Sequence, residues 1–153
     1  MLALERQLKR APGLPSAPEQ TDYDQRLNIT VVFTSVDATL AALRKAGNLA
    51  SSLGGRITLV VPQVVPYPLP LESPPVLLDW NERRFHLIAA ESPVETVIRI
   101  YLCRDALDTL QGVLKTHSVV VIGGPRRFWP TREKRLARQL RHAGHEVIFT
   151  ESE

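Results

Sequence analysis

Five short apolar runs divide the chain, and stretches in which apolar residues recur every three or four positions lie between them. The runs at Ile29–Phe33 and Val119–Ile122 are nearly continuous and rich in β-branched residues, which is typical of strands covered on both faces. The five runs predict strands at Asn28–Phe33, Arg56–Val61, Val94–Leu102, Val119–Ile122 and Glu146–Phe149.

The intervening stretches have helical spacing of leucine and alanine and predict helices at 36–53, 77–90, 106–115 and 132–143. Thr34 is the expected N-cap of the first helix, with Asp37 completing a capping box. Strands that alternate with helices predict an α/β fold, a doubly wound five-stranded parallel sheet with helices on both faces. The polar alternation of Val94–Leu102 predicts a less buried edge strand.

Two segments lie outside this alternation. Residues 1–26 are expected to form a flexible N-terminal arm, with a short helix at Leu2–Lys9 that the following prolines and glycine stop. Residues 27–153 then form the single α/β domain. The connection from Pro62 to Pro75 contains six prolines, and loops of this length are usually functional or mobile.

Composition restricts the class of protein. Cys103 is the single cysteine, so no internal disulfide can form, and a cytoplasmic location is expected. No apolar run approaches the roughly 20 residues of a membrane-spanning helix, and the first residues lack a signal-peptide pattern. Membrane insertion is therefore not expected.

Charge is concentrated near the end of the chain. The formal net charge is only +3. The unit that follows the fourth predicted strand nevertheless carries Arg126, Arg127, Arg132, Lys134, Arg135, Arg138 and Arg141. This end of the sheet is expected to attract anions.

The turn after the fourth predicted strand is the candidate ligand site, because open α/β sheets bind ligands beyond the carboxyl ends of their strands. Gly123 and Gly124 are expected to break the strand. The hypothesis is a phosphate-bearing ligand held by the residues listed here: Gly123, Gly124, Arg126, Arg127 and Thr131, with Trp129 or Phe128 stacked on a base. The alternative is a solvated basic face with Trp129 packed on the sheet edge.

Thr34, Ser35 and Asp37 follow the first predicted strand and form a second lip of the same crevice. Their simpler interpretation is helix capping, which would compete with ligand contact.

Motifs for catalysis are absent from the sequence. It contains no nucleophile elbow, no Walker lysine loop and no dinucleotide fingerprint, and its four histidines do not have metal-ligand spacing. The basic helix could follow a nucleic-acid backbone, but no base-reading module accompanies it. We therefore expect no enzymatic activity, no metal and no nucleic-acid partner.

Residues 28–149 resemble the universal stress protein family. The first family strand ends in Val-Asp-Gly-Ser, the following helix contains Ala-Leu, and the last helix ends in Leu-Arg-His-Ala. The matching segments are Val32–Val36, Ala42–Leu43, Ile57–Val61, Val120–Gly123 and Leu140–Ala143.

The resemblance implies a sheet of order 3-2-1-4-5 and, for many members, a dimer. One branch binds ATP between the first and fourth strands, with an Asp after the first and a Gly-x-x-Gly loop after the fourth. Here Thr34 stands at the position of the Asp and Arg126 at the second glycine, and the later Gly-Ser pair falls near Glu133 and Lys134. The standard ATP motif is thus degraded.

The resemblance and its degraded ATP motif leave two candidate functions. The first is a non-enzymatic regulatory or stress-response module that acts through self-association and partner contacts. The alternative is a small-molecule sensor that binds ATP, another adenine nucleotide or another phosphate-bearing ligand in the Thr34/Gly123 crevice. A homodimer through the edge of the C-terminal strand is expected, because that strand ends the sheet.

Overall fold

The computed structural model describes residues 4–7, 27–70, 78–90, 92 and 94–152. Strands and helices alternate after a short first strand. The elements are β1 (Leu4–Gln7), β2 (Asn28–Val32), α1 (Val36–Leu53), β3 (Arg56–Val64), α2 (Leu78–Ala90), β4 (Thr96–Cys103), α3 (Ala106–Val113), β5 (Val119–Pro125), α4 (Arg132–His142) and β6 (Glu146–Ser152).

The strands form one sheet of order β1-β4-β3-β2-β5-β6. β2 to β6 are parallel, and at the centre Val32 of β2 lies beside Val60 of β3 and Ile122 of β5. These five strands have the order 3-2-1-4-5 when counted from β2. The predicted fold class and the strand order implied by the resemblance are therefore confirmed.

β1 adds a sixth strand, antiparallel to β4, with Leu4 opposite Leu102 and Gln7 opposite Arg99. The predicted helix over Leu2–Lys9 is wrong in this part, because pairing with β4 satisfies the backbone of residues 4–7. The rest of the arm lies outside the described residues. β4 is also more buried than predicted: of its eight residues only Arg99 is half-buried.

Helices cover both faces of the sheet. α1 and α2 pack on one face around Leu43, Phe85 and Ile100, and the rings of Phe33 and Phe85 meet edge to face with centroids 5.0 Å apart. α3 and α4 pack on the other face in a cluster that includes Leu110 and Leu140. Among the described helices, none combines the length and the apolar character required to cross a membrane.

The start of the proline-rich connection is held against the end of β4. The guanidinium of Arg104 donates to the carbonyl oxygen of Val65 at 2.9 Å and lies 4.1 Å from the ring centroid of Tyr67. The Tyr67–Pro68 peptide bond is cis. Residues 71–77 of the same connection lie outside the described residues, so its role stays a prediction.

Candidate functional site

The carboxyl ends of β2 and β5 lie side by side at the centre of the sheet. Here the connections diverge, because β2 leads through α1 to β3 on one side whereas β5 leads through α4 to β6 on the other. Such a switch point is where open α/β sheets usually place a ligand. The predicted crevice between Thr34 and Gly123 therefore has the expected position in the fold.

Protein groups join the two sides of this crevice. The hydroxyl of Thr34 donates to the carbonyl oxygen of Gly123 at 2.8 Å, and the Thr34 N–H donates to Oγ1 of buried Thr39 at 3.1 Å. The first turn of α1 also lies directly on β5. A Cβ added to Gly123 would overlap the carbonyl of Ala38, with the carbonyl carbon at 2.6 Å.

Gly123 and Gly124 do not break the strand, so this prediction is wrong. β5 continues to Pro125, with Gly123 beside Thr150 and Gly124 beside Glu151 of β6. Glycine occurs here because the site has no room for a side chain: a Cβ on Gly124 would lie 2.6 Å from the Phe149 ring. Neither glycine has a positive φ, so both serve close packing and not a turn.

The second lip of the crevice, residues 34–37, forms the start of helix α1. Ser35, and not Thr34, is the N-cap of α1, because its Oγ accepts the N–H of Ala38 at 3.3 Å. Asp37 is exposed in the first helical turn, where a carboxylate interacts favourably with the helix dipole. The predicted capping box of Thr34 and Asp37 is therefore wrong: the cap lies one residue later, and Ala38, at the third position after it, has no side chain that could complete a box.

The basic loop, residues 126–131, lies at the surface. Nε of Arg126 is 3.7 Å from a carboxylate oxygen of Glu151, and the Arg127 guanidinium lies 5.6 Å from the centroid of the Trp129 ring. Trp129 is 60% exposed and Phe128 is fully exposed. The predicted packing of Trp129 on the sheet edge is not what the structure shows, because most of its ring area faces solvent.

Thr131 is the N-cap of α4. Its Oγ1 accepts the N–H of Lys134 at 3.2 Å, and the Lys134 ammonium in turn donates to the carbonyl of Arg127. The basic loop is thus tied to the first turn of the helix that follows it. Exposed cations continue along α4 at Arg132, Arg135 and Arg138.

Cys103 is fully buried, and burial raises the pKa of its thiol, an effect that the hydrogen bond with Thr109 partly offsets and that nearby Asp105 reinforces. Among the described residues, no three His, Cys, Asp or Glu side chains are placed to hold a metal ion. The single cysteine is therefore placed as an inert core residue.

Alkylation of native Cys103 by iodoacetamide at pH 8 is expected to be roughly 100-fold slower than in urea, because the sulfur must first become accessible through opening of the fold. The raised pKa favours the protonated thiol in the folded state. The buried thiol therefore stabilises the folded state fully at pH values below the unfolded thiol pKa of about 8.5. This stabilisation declines as the pH rises above that value. The rate is followed by mass spectrometry, with Cys103→Ser as the blank. Equal rates in both conditions would contradict the burial.

A cavity lies at the end of the sheet opposite the Thr34/Gly123 crevice. The cavity, of about 340 Å³, is bordered by Thr30, Thr58 and Arg99, near the amino ends of β2, β3 and β4. This cavity was not expected from the sequence. The sequence feature that indicates such a cavity is the polar residue at every second position near the start of β2 and β3, because covered parallel strands are expected to be apolar on both faces.

Comparisons with known proteins leave the family open. No family model matches the chain, and none of the curated proteins matches it. The likeness to universal stress proteins therefore stays a prediction.

Proposed function

We propose that this chain is a non-enzymatic regulatory module of the universal stress protein type, which acts in a stress response through self-association and partner contacts. The observation that carries the proposal is the hydrogen bond between Thr34 and Gly123 beneath the first turn of α1. It occupies the crevice where the resemblance would place ATP.

The packing around this hydrogen bond disfavours a triphosphate. Phosphate groups bind where backbone N–H groups of a glycine loop can approach them closely. Gly123 and Gly124 are buried within β5, with Ala38 against the first and Phe149 against the second. A nucleotide bound in the family manner would have to displace the start of α1, which supports a function that does not depend on it.

Self-association is supported by the free edge of β6, which ends the sheet and pairs only with β5 among the described strands. The N–H of Glu146 donates to the carbonyl of Ser118 on the β5 side at 3.0 Å. Every second residue of β6 therefore directs its backbone groups toward β5. Phe149 and Glu151 direct theirs toward the open edge, as does Val147, whose carbonyl oxygen already accepts from the Arg141 guanidinium at 3.1 Å and would exchange this partner on pairing.

A second copy of this chain fits that edge with two-fold symmetry. Antiparallel pairing of two β6 strands centred on Phe149 would place Val147 opposite Glu151 and Glu146 opposite Ser152 of the other copy. No two carboxylates then lie directly opposite each other, so like-charge repulsion is small. Molar mass measured by light scattering over a range of concentrations tests this dimer.

Partner contact is supported by the basic loop. Phe128 and Trp129 expose large apolar surfaces between Arg126, Arg127 and the exposed cations of α4. Exposed aromatic and arginine side chains are the residue types that dominate the binding energy at protein interfaces. The charge favours an acidic partner surface.

The same arginines support a second candidate, a sensor of an adenine nucleotide or another phosphate-bearing ligand. Arg126 and Arg127 are exposed, and Trp129 could stack on a base once Arg127 moves aside. Binding would then use the surface of the basic loop and not the crevice beneath α1.

Thermal unfolding with millimolar ATP, ADP, AMP or a cyclic dinucleotide separates the two candidates. A ligand at 100 times its Kd adds about 2.7 kcal/mol to the stability of the folded state, which is an easily measured shift. We expect no shift if the module acts through partners alone. A shift that Arg126→Ala with Arg127→Ala removes, and that the matched change of exposed Arg44 and Lys45 on α1 retains, would establish the sensor and overturn the first proposal.

A further inference from the structure

The cavity at the amino ends of the strands lies on the face covered by α3 and α4. Its floor is made by residues of β2, β3 and β4, and its wall by the end of α3 and the connection 114–119. The volume of about 340 Å³ is at the lower end of the range of small-molecule sites. It suits a compact metabolite and is small for a nucleoside triphosphate.

The cavity exists because α3 is short. A helix of eight residues is about 12 Å long, whereas a strand of the same number of residues extends about 26 Å. α3 therefore covers only part of β3 and β4, with Leu110 in the cluster that contains Val60 and Tyr101. The amino halves of these strands are left without a helix above them.

Along β2 and β3, the residues that form the floor of the cavity change from apolar to polar where α3 no longer covers the strands. On this face β2 runs from Asn28 through Thr30 to Val32, and β3 runs from Arg56 through Thr58 to Val60. Val32 and Val60 lie in the helix-covered cluster, and the polar residues line the cavity, which Val60 also borders. Packing on a doubly wound sheet does not require polar residues at these positions of β2 and β3. Their presence indicates that the cavity binds a polar ligand.

The charged residues that line the cavity all have the same sign. They are Arg56, Arg99 and Lys115, and no described residue of the lining is acidic. Arg56 and Arg99 also make other interactions, so a ligand would share them and would not meet bare guanidinium groups. The field of the cavity nevertheless favours an anion.

One local contact prepares a donor for such an anion. Thr58 Oγ1 donates to Oδ1 of Asn28 at 2.9 Å, which leaves the Asn28 amide NH₂ as the group available for an acceptor. Nδ1 of His117 is 3.0 Å from the carbonyl oxygen of Gly144, so Nδ1 carries a proton and donates. This proton is therefore committed to Gly144, and His117 is not counted among the donors for the ligand.

We infer that this cavity binds a compact oxyanion, carried by a small phosphate or a small polycarboxylate. Arg56, Arg99 and Lys115 supply the charge, and Asn28 supplies neutral donors. The site is independent of the Thr34/Gly123 crevice, because it lies at the opposite ends of the same strands. Its ligand would contact three strands and the connection 114–119 at once.

The experiment is a titration of the full chain with inorganic phosphate, pyrophosphate and citrate, at an ionic strength kept constant with sodium chloride, followed by backbone amide NMR. We expect saturable shifts at residues 28, 56–58 and 115–118, and none of that size at 126–131. Tighter binding of pyrophosphate than of citrate would assign the ligand to the phosphates, and the reverse order would assign it to the carboxylates.

Two variants make the test specific. Lys115→Gln removes an exposed charge and is expected to weaken binding roughly 5-fold, and Arg99→Gln is expected to weaken it at least as much. Arg126→Gln with Arg127→Gln should leave binding unchanged, which separates this site from the basic loop. Shifts no larger than those with sodium chloride alone, or wild-type affinity in Lys115→Gln, would overturn the inference.

Discussion

Gly123→Ala is expected to destabilise the protein by about 3 kcal/mol, at the upper end of the cost of overpacking. The added methyl group would overlap the carbonyl of Ala38, which belongs to the rigid first turn of α1. That turn can move away only by weakening the hydrogen bond between Thr34 and Gly123, so relief of the overlap carries its own cost. Urea unfolding followed by circular dichroism measures the free energy of unfolding.

Gly112→Ala is the matched control, because it makes the same chemical change within α3 where a Cβ would meet nothing within 4 Å. Alanine is favoured over glycine in a helix by about 1 kcal/mol, so this variant is expected to be neutral or more stable. Equal stability of the two variants would mean that α1 does not close on β5. Packing would then no longer disfavour a nucleotide in this crevice.

Glu151→Pro is expected to convert the proposed dimer to a monomer and halve the molar mass measured by light scattering. The N–H of Glu151 points toward the open edge of β6, in line with the alternation set by Glu146 and Ser118. Proline removes this donor and places its ring where the second strand would lie. Pairing with β5 should persist, because it uses the residues on either side.

Glu151→Ala is the control for this change, since it also removes the carboxylate that lies 3.7 Å from Arg126 but keeps the N–H. It should remain dimeric. A wild-type chain that stays monomeric at every concentration, or a stable Glu151→Pro chain that stays dimeric, would exclude association through β6.

The apolar pattern of the sequence was sufficient for the parallel core of the fold. Val31, Val32, Val121 and Ile122 lie in nearly continuous apolar runs, and in the structure all four are fully buried. A strand that is apolar on both faces needs helices on both sides, so the alternation of strands and helices restricts the architecture strongly. Thr131 was also predictable as a cap, because its role depends on the next three residues alone.

The glycines of β5 show where a local pattern is ambiguous. Adjacent glycines are used in turns because they tolerate positive φ, but they are also used where two backbones approach closely. At Gly123 and Gly124 the neighbours that decide between these uses are Ala38 and Phe149, which are distant in sequence. The sequence therefore predicted that Thr34 and Gly123 lie side by side at the ends of β2 and β5, whereas the closure of the crevice between them was not predictable.

β1 shows the same limit for secondary structure. The residues Leu4–Gln7 suit a helix by propensity, yet they pair with β4, whose Leu102 and Arg99 are distant in the sequence. Long-range pairing overrides local propensity because it satisfies the backbone of both strands.

By itself, the sequence determined the α/β class, the alternation of strands and helices and the basic character of the loop after β5, because periodicity and charge are local properties. Only the tertiary structure decided that Thr34 and Gly123 close the crevice and that short α3 leaves a basic cavity over β2, β3 and β4. Both depend on how closely separate elements approach, and that distance is set by packing across the whole sheet.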